Sequence, residues 1–131
     1  MNSKVKTDGI PVWVTYFLML IILFGIGMGA PALVGQGVMD GHSISWGGRQ
    51  LGIAIGSIFA IMYRNQVGYM IVFACHALKE TADLIEVLAA PNVAISMVLP
   101  FVPFIALELT ALWLSFRAAG TQDSTDAGHS N

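Results

Sequence analysis

Five side chains that can exchange protons or hold charge crowd into one stretch: His76, Lys79, Glu80 and Asp83 within two helical turns, and Glu86 a turn further on. In a helix, a step of about 100° per residue puts Tyr69, His76, Glu80 and Asp83 on one stripe flanked by Lys79 and Glu86. An imidazole among carboxylates is acid and base apparatus, because neighbouring charges decide which group holds a proton. Such groups protonate an alkene or epoxide, shift a double bond by paired proton transfers, or activate water. A carboxylate pair held with an arginine suits epoxide opening in particular.

The elements that carry these residues are apolar. Of 131 residues, 56% are hydrophobic and 11% charged, where an ordinary soluble domain has about 25% charged. Mean hydropathy is +0.72. Nothing is charged between Asp8 and Asp40, between Arg49 and Arg64, or between Glu86 and Glu108. A bilayer-crossing helix needs about 20 mostly apolar residues, so the pattern predicts an all-α, polytopic membrane four-helix bundle. Its spans are expected at 11–34, 47–63, 67–89 and 93–116 within a bundle domain of 10–118, after an N-terminal segment 1–9 and before a polar, disordered tail 119–131. Lys4 and Lys6 ahead of an apolar run also suit a signal peptide, but the run is longer than the usual 7 to 15 residues of such a segment, and a retained first helix is expected. Lys4, Lys6, Arg64 and Arg117 all fall on one side of this topology, which puts both termini in the cytoplasm.

The acidic stripe therefore belongs inside the third span. Even on lenient insertion scales a central Asp or Lys costs about 2.5 to 3.5 kcal/mol, so several together imply a protein-lined, watered interior. At a rise of about 1.5 Å per residue His76 falls near mid-membrane, close in depth to Glu108 of the fourth span, while Arg49 and Asp83 lie toward the outer end. Two couples are expected: His76 with Glu108, and Arg49 with Asp83 or Glu80. Lys79 can instead pair with Asp83 four residues on. The candidate catalytic residues are His76, Glu80, Asp83, Arg49 and Glu108, and the candidate substrate-binding residues are Tyr69, Lys79, Trp46 and Tyr16.

Glycines recur every four residues at Gly25 and Gly29, and at Gly48, Gly52 and Gly56, which predicts a close crossing of the first two helices on those faces and leaves glycine faces for a homo-oligomer. Pro100 and Pro103 are expected to bend the fourth span. The net charge of −2 leaves no basic face for nucleic acid. Cys75 is the only cysteine, so no intrachain disulfide forms. His76 is the only histidine within a span, with His42 in a loop and His129 in the tail, so haem held by two imidazoles is not expected. No His or Cys pair has zinc spacing, four helices are few to enclose a retinal, and neither a metal nor another cofactor is expected.

The stretch 47–86, with Arg49 followed by Gly52 and Gly56, Arg64 in the turn and Asp83 late in the next helix, resembles the small four-helix DoxX-like membrane proteins. The resemblance covers about a third of the chain and implies a bundle with Arg49 and Asp83 lining its interior. His76 with Glu80 is similar to the pairing in membrane sterol isomerases of the emopamil-binding family, which move protons on a lipid with intramembrane acids. Membrane glutathione transferases share the size and helix count, but their Arg and Asn signature on the second helix is missing. The expected function is acid and base catalysis on a lipophilic small molecule: isomerisation, cyclisation or epoxide opening in a multi-pass protein of a bacterial inner or plasma membrane. The alternative is transport or proton coupling, or a ligand-binding subunit of a membrane complex.

Overall fold

An uncharged run of 22 residues, apolar on every side, coils into α1, Val12–Leu33. A helix apolar all round belongs in the core of a large protein or in a membrane. Here protein does not sheathe it, for Leu23 is 71% exposed and Phe24 57%. The helix ends where Val34 and Gln36 both donate backbone N–H bonds to Pro31 O and Gly35 turns left-handed at φ 74°. The computed structural model describes residues 9–36, 44–64 and 66–126, with side chains as far as 119; among them every regular element is helical. Lys4, Lys6, Asp40, His42 and His129 lie outside the described residues.

After α1 come α2, Ile44–Tyr63, and α3, Gln66–Ala89, joined through Arg64 in the left-handed region at φ 47°. A single turn, α4, Ile95–Val98, precedes α5, Phe101–Asp126. The break between them falls at Leu99 and Pro100. Pro103, expected to bend the helix as well, is the third residue of α5. There its missing N–H would have no intrahelical acceptor in any case, so only Pro100 interrupts the chain. The helix runs on to Asp126, through much of the stretch expected as a disordered tail.

α1 packs chiefly on α2, α3 on α5, and α2 on α3. Thr15 Oγ1 lies 3.2 Å from Tyr69 OH, tying the start of α1 to the start of α3. Gly9 sits against Ala118, whose Cβ would be 3.4 Å from a methyl group on the glycine. The beginnings of α1 and α3 and the later part of α5 therefore share one end of the molecule. Phe17 stacks on Phe73 at 6.1 Å and lies 6.5 Å from Phe104, so aromatic rings join α1, α3 and α5.

α5 is inside out by the standards of a soluble protein. It buries Glu108, Ala111, Ser115 and Ala118 and turns Val102, Leu107, Leu109, Trp113 and Phe116 outward. Small and polar side chains inside with large apolar ones outside is the arrangement of helices packing in lipid. Two helical stretches, Val12–Leu33 and Ile95–Ala119, are long and apolar enough to cross a membrane. Hydroxyl groups hide their donors in the same way: Ser57, Thr81, Thr110 and Ser115 each bond the carbonyl four residues back, at 2.7 to 2.8 Å.

The crossing of α1 and α2 uses Gly25 and Gly29 as expected, but a different face of α2. Gly25 and Gly29 abut Gln50, Ala54 and Gly47, and a Cβ on Gly47 would stand 2.8 Å from both Gly29 O and Ala32 Cβ. Gly52 has nothing within 4 Å, and Gly56 looks to Val72 of α3. The series Gly48, Gly52 and Gly56 is thus turned one residue away from the contact, which Gly47, Gln50 and Ala54 make instead.

Candidate functional site

The charged residues of α3 join into one string with partners from α2 and α5. Arg49 Nη1 lies 4.0 Å from Asp83 Oδ1, and Asp83 Oδ2 lies 3.1 Å from Lys79 Nζ. Lys79 Nζ also touches Glu80 Oε1, which is 4.0 Å from His76 Nδ1. His76 Nδ1 in turn meets Glu108 Oε1 directly. Helix geometry explains the order: His76, Lys79, Glu80 and Asp83 are three and four residues apart on α3, while Glu108 comes from α5, which packs along it. The two ends of the string differ most in burial, from an Arg49 side chain 50% exposed to a Glu108 side chain with no exposure.

Counting charges shows what is unusual. Arg49 and Lys79 balance Glu80 and Asp83, and Glu108 remains as a further carboxylate whose one neighbour in the string is the His76 imidazole. Its Oε2 is buried with no hydrogen-bond partner among the described residues. A carboxylate left so is costly unless a proton on the His76–Glu108 pair, or another cation, offsets it.

The expected couple of His76 and Glu108 is in contact, whereas the Arg49–Asp83 couple is loose. One guanidinium nitrogen at 4.0 Å is no two-pronged grip, and Lys79 is the nearer cation to Asp83. The alternative of an Asp83–Lys79 pair is therefore present. We expect Arg49→Lys to behave as wild type and Arg49→Met to cost less than about 1 kcal/mol, as exposed pairs do. Lys79→Met, which leaves two half-buried carboxylates without their nearest cation, is expected to cost more. Unfolding measured in mixed micelles orders the variants, and an Arg49→Met loss exceeding that of Lys79→Met would overturn the assignment.

Beside the buried end of the string lies a cavity of about 490 Å³, within the range of small-molecule sites. Leu20, Ile21 and Phe24 of α1 line it with Pro100, Phe101 and Phe104, and His76 and Glu80 are its polar side chains. Leu20, Phe24 and Phe104 are also exposed on the outside of the molecule, so the cavity reaches the surface between α1 and α5. A groove of about 420 Å³ on the other side of α3 is lined by Arg49, Gly52, Gly56, Cys75 and Lys79, among others. Cys75 is exposed there, away from the stripe.

None of the four residues expected to bind substrate lines the cavity. Tyr69 is buried, with its hydroxyl on Thr15 and its ring 6.4 Å from Phe73. Tyr16 is 66% exposed on α1 and Trp46 half-buried near the start of α2, while Lys79 faces the groove. Glu86 is exposed beyond the string. The residues that do line the cavity are apolar members of apolar runs, and only the break at Pro100 singles any of them out. A further grouping crosses helices: ligand atoms of His76, Glu80 and Glu108 lie within 4.8 Å of one another. Counting only His and Cys spacings along the chain misses it, because two of the three are carboxylates and one comes from another helix. No protein-family model, curated protein or solved structure matches the chain.

Proposed function

We propose that the chain is a cofactor-independent membrane enzyme that performs acid and base chemistry on a lipophilic small molecule. The observation that carries this reading is the cavity itself: apolar walls of ligand size with His76 and Glu80 as the polar side chains. An apolar molecule is held by the walls, and its reactive carbons or oxygen lie against two groups that exchange protons. In an isomerisation His76 gives a proton to one end of a double-bond system and Glu80 removes one from another position. The two transfers cancel on the substrate, and return of the proton from Glu80 to His76, 4.0 Å away, resets the pair, so no co-reactant is consumed. Glu108 braces the imidazole from behind, and Lys79 keeps Glu80 in place. Cyclisation and epoxide opening use the same first step.

In this reading four spans, DoxX-like in layout, form a multi-pass bundle in a bacterial inner or plasma membrane, with both termini cytoplasmic. The outward-facing apolar side chains of α1 and α5 support a lipid surrounding, and the opening between those helices suits entry of substrate from the bilayer. Homo-oligomers are compatible with the open face at Gly52.

Mass spectrometry of molecules retained after mild detergent purification tests the proposal. A retained polyene, sterol-like olefin or epoxide that the protein converts supports it, and His76→Gln is expected to slow conversion about 10²- to 10⁴-fold, the usual contribution of a positioned acid or base. An unconverted quinone points to a subunit of a redox complex. An empty cavity with pH-dependent ion flux in liposomes points to transport, and either result overturns the enzyme.

A further inference from the structure

We propose that His76, Glu80 and Glu108 form a binding site for one first-row divalent cation of the zinc class. The inference stands on geometry and charge and not on the reaction proposed above. One imidazole nitrogen and two carboxylates from α3 and α5 converge with ligand atoms within 4.8 Å of one another. Metal–ligand bonds of about 2.1 Å put tetrahedral ligand atoms roughly 3.4 Å apart. Side-chain rotation bridges that difference, drawing Glu80 inward and parting His76 from Glu108. An imidazole with two carboxylates is a donor set that zinc, cobalt and manganese accept.

The independent observation is Glu108. It is the surplus charge of the string, it has no exposure, its Oε1 touches His76 Nδ1, and its Oε2 has no hydrogen-bond partner among the described residues. His76 Nδ1 is likewise buried and has no hydrogen-bond partner among them beyond its contact with Glu108. A buried carboxylate set against an imidazole nitrogen needs something positive between the two. A proton meets that need in one state of the site, and a divalent ion meets it in another. Lys79 already holds Glu80 through Oε1, so ammonium and metal share that carboxylate through its two oxygens. The three side chains leave coordination positions open beside the cavity that His76 and Glu80 line. An ion on Nδ1 also removes the lone pair through which His76 and Glu108 share a proton, so metal and proton transfer compete for the site.

The test uses the full chain, purified in detergent without an affinity tag and stripped with a chelator, then titrated with Co²⁺ and followed by visible absorption. One equivalent of Co²⁺ with the bands of a coordinated ion, displaced by Zn²⁺, is the expected result. His76→Gln, Glu80→Gln and Glu108→Gln are each expected to weaken binding at least about tenfold, the loss that disturbing even an outer partner of a metal ligand brings. Glu80 is the least buried of the three, so its variant keeps the test open if Glu108→Gln fails to fold. His42→Asn with His129→Asn removes the other two imidazoles of the chain and is expected to leave affinity unchanged. Absent Co²⁺ binding, binding indifferent to Glu80→Gln, or binding lost with His42 and His129 would each overturn the site. Failure to convert any retained lipophile would sink the proposed reaction and leave this titration standing, and absent Co²⁺ binding would leave the reaction standing.

Discussion

His76→Leu alone is expected to destabilise the protein by about 3 to 5 kcal/mol, the cost of stranding one partner of a buried charged pair. The stranded group is Glu108, with no exposure and no other hydrogen-bond partner among the described residues. Replacing both residues by Leu is expected to give most of that stability back. The remaining string of Arg49, Asp83, Lys79 and Glu80 is then balanced, two cations against two carboxylates, and apolar side chains of similar volume fill the space at little or no cost. Conversion of the lipophilic substrate is lost in the single and double variants alike. Unfolding free energies in mixed micelles decide the first part, and a double variant as unstable as the sum of the singles would show that the pair is not coupled. A cluster kept only as structural glue would have no function left to lose once the double variant folds.

Gly47→Ala is expected to cost about 1 to 3 kcal/mol, as overpacking a tight contact does. The new methyl group would stand 2.8 Å from Gly29 O and Ala32 Cβ, and the backbone oxygen cannot rotate away as a side chain would. Gly52→Ala, only five residues along the same helix, meets nothing within 4 Å. It is expected to be neutral or to stabilise α2 by up to about 1 kcal/mol, since alanine favours the helix. The same unfolding measurement compares the two, and a reversed order would put the α1–α2 contact back on the Gly48–Gly52–Gly56 face.

The partnership of His76 with Glu108 was legible because rise per residue and the alternation of helix direction fix depth, and depth matched them. Which neighbour of Asp83 is nearer was not legible: Lys79 and Arg49 both have the reach, and only packing sets the distances. The glycine spacing on α2 gave the right period and the wrong phase. Gly47 and Gly48 are adjacent, about 100° apart around the helix, and a four-residue repeat beginning at Gly48 hides one in which Gln50 and Ala54 accompany Gly47. Tyr16 lies away from the cavity for the reason that makes α1 a credible membrane helix: apolar on every side, it carries no sequence signal of which side faces the cavity. Pro103 shows the same limit, harmless because the helix restarts just before it.

The interruption at Leu99 and Pro100 also sets a thickness. Pro100 and Pro103 cannot donate to the carbonyls of Ser96 and Leu99, and hydrocarbon offers no substitute partner. In a bilayer this corner therefore belongs at the headgroups or against water. From Phe101 to Arg117 the helix then spans about 24 Å at 1.5 Å per residue, short of the roughly 30 Å of a typical hydrocarbon core. In a bilayer such a mismatch would be relieved by local thinning around this stretch of the helix. Glu108, seven residues past Phe101, would then lie about 10 Å from the headgroup layer, where a thinned leaflet would give water and ions a short path to the most deeply buried acid among the described residues.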